Sequence, residues 1–406
     1  MPAGETRAFP PSRKPAGRLA VSKKLDRTSS ILPEPEPALL ADARGHIAPD
    51  GLALDVTWTA PPGHRLPPRF KVNAGYEIVA VNGVPARQAR ERGEDPSETR
   101  VELALTPADP DAATVEFSIR GMPSPPGVRF GDAEIELDGL ATWLPVPVPP
   151  EPLRWNCDLT FPTGMTAVTS TTLSGVTAIA IRGAAHLRHD SLPETFGACG
   201  AAELRLGASL VQRGVALWSR FLPELSQPTV RIAIVNRPRS TFCYTRPGLI
   251  RLASGVLRGP PAAVVVHEAG HLWWGTRAVF ADDAHWVAES LAEYGLHLAC
   301  DAGTYPDYRR ATLDALRTLN DGRLPRDGLA ALSGSPGKVA AFILRAKGGF
   351  AVAALRKTLG EDAFRDLLYR LDRAACRGAL TSAGFLALAA TVSGRSLTTF
   401  ARRWVD

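Results

Sequence analysis

His267 and His271 stand four residues apart in the run His267-Glu268-Ala269-Gly270-His271. Two imidazoles at that spacing reach one ion only if the backbone between them is helical, because a 3.6-residue repeat puts i and i+4 on one face. Glu268, turned by about 100° from His267, then approaches the ion's open position instead of binding it. The five residues before the motif, Ala262-Ala263-Val264-Val265-Val266, are apolar, so the helix can carry this polar face into a core. The fold must therefore bury a helix end and bring further donors to it from elsewhere in the chain.

Those surroundings divide by pattern. Residues 1–37 are rich in Pro, Lys, Arg and Ser without periodicity and read as a disordered basic arm. From residue 38 to 194 the apolar runs are short and turn-bounded: Leu52 to Trp58, Tyr76 to Val81, Val101 to Leu105, Val115 to Ile119 and Thr177 to Ile181. They predict a β-sandwich or saddle-shaped sheet domain. From 195 to 406 the pattern turns mixed and then helical, with a helix from Ala201 to Phe221, strands at Val230 to Val235 and Leu249 to Leu252, and helices from Pro261 onward. At 406 residues the chain is long enough for more than one core.

The formal charge of +6 is uneven. Residues 1–30 hold seven Lys/Arg against two Asp/Glu, a net of +5, which leaves 40 against 39, or +1, for the remainder. With no nucleic-acid motif and no run near the ~18 apolar residues of a membrane helix, neither nucleic acid nor membrane is an expected partner. Five cysteines, Cys157, Cys199, Cys243, Cys300 and Cys376, lie far apart and read as reduced. The amino terminus lacks an apolar signal-type core, so the cytoplasm is the expected location.

A zinc ion that keeps an open position needs a third protein ligand. A second helix is expected at Ala284 to Leu296, with Glu289 and Glu293 on one face. Glu289 is the expected ligand, with Glu293, Asp283 and His285 as alternatives. Glu293 suits a place behind a histidine, orienting its ring.

The run HEAGHLWWG (267–275) followed by WVAESLAEY (286–294) resembles the aminopeptidase N and leukotriene hydrolase family of gluzincins, peptidase family M one. Trp273 and Gly275 fall on the family's Trp-rich segment, Glu289 on its third ligand, and Ser290 replaces the usual Gly. The gap of 17 residues between His271 and Glu289 is one shorter than the family's, which places a deletion around Phe280 to Asp283. Weaker matches keep the family's order. They run from Tyr76 to Ala86 with Asn82-Gly83, from Thr142-Trp143-Leu144-Pro145 to Thr163-Gly164, and over Lys347-Gly348, Leu355 to Gly360 and Ser393 to Trp404. The resemblance implies an α+β multidomain protein: an amino-terminal β domain, then a thermolysin-like α/β catalytic domain ending in helices. It also implies one Zn2+ on His267, His271 and Glu289, with Glu268 as general base in hydrolysis of a peptide or peptide-like substrate.

Two departures concern the substrate. Family aminopeptidases carry a Gly-x-Met-Glu-Asn motif on the edge strand, whose carboxylate holds the substrate's amine; the stretch Thr241 to Gly248 here has no acidic residue. The family's tyrosine, two residues before the Lys-Gly pair, is replaced by Arg345, which could support the oxyanion or clamp a substrate carboxylate. Tyr244 is a second candidate for the lost phenol. Arg237, Arg239, Arg246 and Arg251 are read as a solvated face, and Trp273 and Trp274 as packing against the β domain. A zinc hydrolase of a non-peptide amide, ester or epoxide, and a noncatalytic scaffold, are the alternatives to a metallopeptidase.

Overall fold

A computed structural model describes residues 39–406, except 74, 86–88, 93–98, 105–112, 124–126, 139–142, 149–152, 173–174, 190, 226–228, 258–261, 324, 334, 336 and 376–378. The basic arm and Cys376 lie outside the described residues. The chain is α+β, built from four sheets and a helical second half.

Among the described residues before Ala185, every regular element is a strand. The six-stranded sheet runs in spatial order Leu153–Thr160, Leu39–Ala48, Gly51–Thr59, Thr114–Gly121, Tyr76–Val81 and Val84–Pro85. Alternation fixes its register: Leu52, Leu54, Val56 and Trp58 are buried, and Asp55 between them is exposed. Asn82 and Gly83, with φ of 49° and 75°, form the two-residue turn into Val84, the backbone sign that hairpin turns of this length demand. A core holding Trp58, Phe70, Phe117, Ile135, Trp143 and Trp155 joins this sheet to two four-stranded ones. The strands at Leu39–Ala48 and Leu153–Thr160, which pair in parallel, were not expected from the sequence.

The strands on and before the expected boundary at 194, Ala185–His189 and Leu192–Gly197, belong to the next sheet. Its spatial order is Ala185–His189, Leu192–Gly197, Arg231–Val235, Leu249–Ala253 and Tyr244–Arg246, with the last strand at the edge. One face packs under the helices. The other meets the β half through Val168, Ile179, Ile181, Phe196, Ala233, Val235, Tyr244 and Leu249.

Nine α-helices follow or interrupt this sheet among the described residues: α1 (Ala201–Phe221), α2 (Ala262–Gly270), α3 (His285–Asp301), α4 (Tyr308–Thr318), α5 (Leu329–Ser333), α6 (Lys338–Leu359), α7 (Glu361–Ala375), α8 (Ser382–Ser393) and α9 (Thr398–Trp404). In α1 the buried residues Leu204, Gly207, Val211, Gly214 and Trp218 recur at three- and four-residue steps, the stripe that packs it on α2. Gly360 (φ 86°) and Gly394 (φ 63°) end α6 and α8 in conformations that side-chain-bearing residues avoid. Trp273 and Trp274 pack against Trp218 of α1, with ring centroids 6.4 and 5.7 Å away, and not against the β half as expected. The β half is cut off from them because the five-stranded sheet and α1 lie between. No described helix is long and apolar enough to cross a membrane.

Candidate active site

The two helices that carry the motif residues cross at unusually close range. A Cβ on Gly270 would lie 2.7 Å from the Ala292 Cα, so only glycine lets α2 approach α3 this far. α6 closes on α3 in the same way, since a Cβ on Gly348 would sit 2.1 Å from the Ser290 Oγ. Ser290 fills the space that Gly348 leaves.

This crossing brings His267, His271 and Glu289 into one cluster, whose donor atoms lie within 4.8 Å of one another. The two Nε2 atoms are 3.1 Å apart, and the Glu289 oxygens lie 3.5 Å from His267 Nε2 and 3.4 Å from His271 Nε2. A tetrahedral zinc ion with bonds of 2.0–2.1 Å has donor–donor edges of about 3.3 Å, and the two imidazoles, with one Glu289 oxygen near each, are gathered on that scale. The outer nitrogens are held as such a site requires. His271 Nδ1 is 2.8 Å from the Trp274 carbonyl, to which it donates, and His267 Nδ1 is 2.7 Å from Glu293 Oε2. These outer partners are the ones that would turn both Nε2 lone pairs toward a bound ion.

Electrostatics tells the same story. Burial works to lower the His267 pKa, but hydrogen bonds and charge from Glu289 and Glu293 push it up to about 10. Burial raises the Glu289 carboxyl, yet the two histidines hold it well below the ordinary carboxylate range. Two carboxylates thus face one imidazole, and the cluster calls for a positive charge at its centre.

Glu268, 5% exposed, sits beside this cluster. Thr245 Oγ1 lies 2.8 Å from both the Glu268 carbonyl and Glu268 Oε2. Thr245 belongs to the edge strand, in the stretch that lacks the family's acid. Strand alternation turns its neighbours Tyr244 and Arg246 the other way, toward the β half. There they meet Glu134, Glu136 and Asp138, which project from the strand Glu134–Leu137 and its end. Arg246 holds Asp138 through two bonds of 2.8 and 2.9 Å, and Arg251 holds Glu136 at 2.9–3.0 Å. Tyr244 also donates to Glu136 at 3.0 Å, and Arg237 pairs with Glu134. Arg237, Arg246 and Arg251 are therefore not a solvated face, since a row of acids from a distant strand covers them; Arg239 alone is exposed. The Tyr244 hydroxyl is committed to Glu136 and does not replace the family's phenol.

Arg345 lies half-buried on α6, close enough to Glu293 and Tyr308 for its charge to lower both. It makes no hydrogen bond to any described residue. Tyr308, at the start of α4, donates to Glu293 Oε1, so Glu293 joins Tyr308 to His267. Of the alternative ligands, His285 is more than half exposed, its Nε2 3.7 Å from Glu289, and Asp283 caps α8 through Ser382. His297 is enclosed by Tyr294, Tyr308 and Phe350, and His186 and His189 are exposed. Sequence reasoning overlooked Thr245, Tyr308 and the acidic strand. Only the last left a trace, as acids on alternate residues at Glu134, Glu136 and Asp138.

No protein-family profile and no curated protein matches the chain. Solved structures do. The M1 zinc metallopeptidase from Deinococcus radiodurans superposes with a TM-score of 0.61 at 17% identity, covering 91% of this chain and 93% of that one. Native yeast LTA4 hydrolase gives 0.65 at 12% identity over 90% of this chain and 67% of that one. Legionella pneumophila aminopeptidase A, solved with aspartic acid, gives 0.63 at 12% over 91% and 49%. The chain thus has the fold that M1 zinc metallopeptidases and LTA4 hydrolase share. A variant of the Deinococcus radiodurans enzyme was solved with a Tyr-Ser-Ala substrate.

Proposed function

We propose that this protein is a zinc-dependent metallopeptidase whose thermolysin-like half holds one Zn2+ on His267, His271 and Glu289. The observation that carries the reading is the cluster of two imidazole nitrogens 3.1 Å apart with a Glu289 oxygen within 3.5 Å of each, and a buried carboxylate beside it. Zinc in such a site supplies Lewis-acid polarisation of a carbonyl and makes a water more acidic.

The residues of the chain do the rest. Glu268 is the general base: Thr245 donates to its Oε2, which leaves Oε1 to take the attacking water's proton and deliver it to the leaving amine. Glu293 fixes the His267 ring, and Tyr308 fixes Glu293. Arg345 is the uncommitted donor on this wall and stabilises negative charge on the substrate's carbonyl oxygen as it develops. Tyr308 cannot serve there while its proton is engaged by Glu293. A cytoplasmic setting is supported by four cysteines that are free among the described residues.

The test is Glu268→Gln. It should keep one zinc per chain, measured by elemental analysis, while turnover of peptide amides falls by about 10²–10⁴-fold. Undiminished cleavage would sink the assignment.

A further inference from the structure

We infer that the cleft takes acyl groups whose amine is blocked or lies within a longer chain, and that it rejects a free α-ammonium beside the scissile carbonyl. This rests on the zinc-hydrolase reading above and names its substrate class.

An ammonium leaves water for a cleft only where a carboxylate is free to receive it. The edge strand that carries Thr245 has three carboxylates packed on its opposite face, against Tyr244 and the arginines, and each is already taken. Glu134, Glu136 and Asp138 are all buried, at 7%, 9% and 9% exposure, and each faces its own guanidinium. Glu136 accepts from Tyr244 as well. Arginine stays charged at any working pH and its planar fork fits a carboxylate at two points, so a substrate amine does not displace it. Thr245, the wall residue that reaches Glu268, is neutral. Of the other acids around the metal cluster among the described residues, Glu268 and Glu289 serve the reaction and Glu293 is held by His267 and Tyr308.

An acylated nitrogen meets none of these difficulties. It carries no charge, and its amide can exchange hydrogen bonds with a hydroxyl such as that of Thr245. Thr245 is in this sense a specificity-determining position: a carboxylate there would be the one acid on the wall that no arginine covers.

The experiment uses the full-length, zinc-loaded protein and two probes, phenylalanine hydroxamate and N-acetylphenylalanine hydroxamate, titrated by calorimetry at neutral pH. The acetylated probe is expected to bind at least about tenfold more tightly. Equal or tighter binding of the free amine overturns the inference and leaves the zinc reading standing. Failure of both probes to bind protein that retains its zinc overturns both. Thr245→Glu should move the ratio of the two dissociation constants toward the free amine by about tenfold or more, with zinc content unchanged. An unmoved ratio in the folded variant overturns the role of Thr245, and the wild-type comparison stands without it.

Discussion

The site is bounded by two charged clusters that handle charge in opposite ways. On the helical floor, Glu289 and Glu293 face the same imidazole, and the histidines and the charge of Arg345 offset them without a guanidinium paired to each acid. On the edge-strand wall, three carboxylates meet three guanidiniums one to one. The floor gathers more acid than its own cations pair, whereas the wall is complete in itself. A buried acid is therefore no sign of a binding site until its partners are counted.

Removing one donor from the floor should have the largest effect. Glu289→Ala is expected to lose the metal outright at micromolar zinc, with bound zinc falling from one to near zero per chain, because two histidines alone do not complete a closed set. If zinc remains, His285 or Glu293 has taken over and the floor is not the three-residue site described. The wall should respond in stability instead: Arg251→Ala strands Glu136 in a buried setting and should cost about 3–5 kcal/mol in denaturant unfolding. Zinc affinity of the folded variant should not change. A loss of zinc there would erase the contrast.

The floor also has an acid weakness that the wall's arginines do not share. Burial and the neighbouring Arg309 hold His297 down to about 4, against the ordinary 6.5 it has when unfolded. The neutral form is the folded one, so its contribution is full above pH 6.5 and disappears as pH falls through 4. The difference, about 2.5 pKa units, is about 3 kcal/mol of stability, and His297→Gln should flatten the loss measured between pH 6.5 and 4. Smaller again is Glu293→Gln, which keeps the ring bonded but weakens its basicity; zinc affinity should fall about 10–100-fold by competition with a chelating dye.

What could be read from the sequence follows the distance over which each contact forms. His267, Glu268 and His271 lie within one helical turn, and Glu289 and Glu293 within another, so periodicity alone places them on common faces. The wall is invisible to such reasoning because its pairs span 103, 108 and 115 residues. For the same reason Arg237, Arg246 and Arg251 looked like surface charge. Tyr308 depends on the turn between α3 and α4, and the partner of Trp273 and Trp274 on where α1 crosses; neither has a local signature. The strand Leu39–Ala48 was overlooked because Ala41, Asp42, Ala43, Arg44 and Gly45 carry little apolar weight, although the Ala residues are buried.

The apolar patch of Val168, Ile179, Phe196, Val235 and Tyr244 between the β half and the five-stranded sheet bears on how the two halves come apart. A hinge that swung the halves apart would have to wet that patch and pull three guanidiniums off their acids in one movement. The two halves should therefore melt together as a single transition, with the acids and the guanidiniums that hold them released only when the patch itself is wetted.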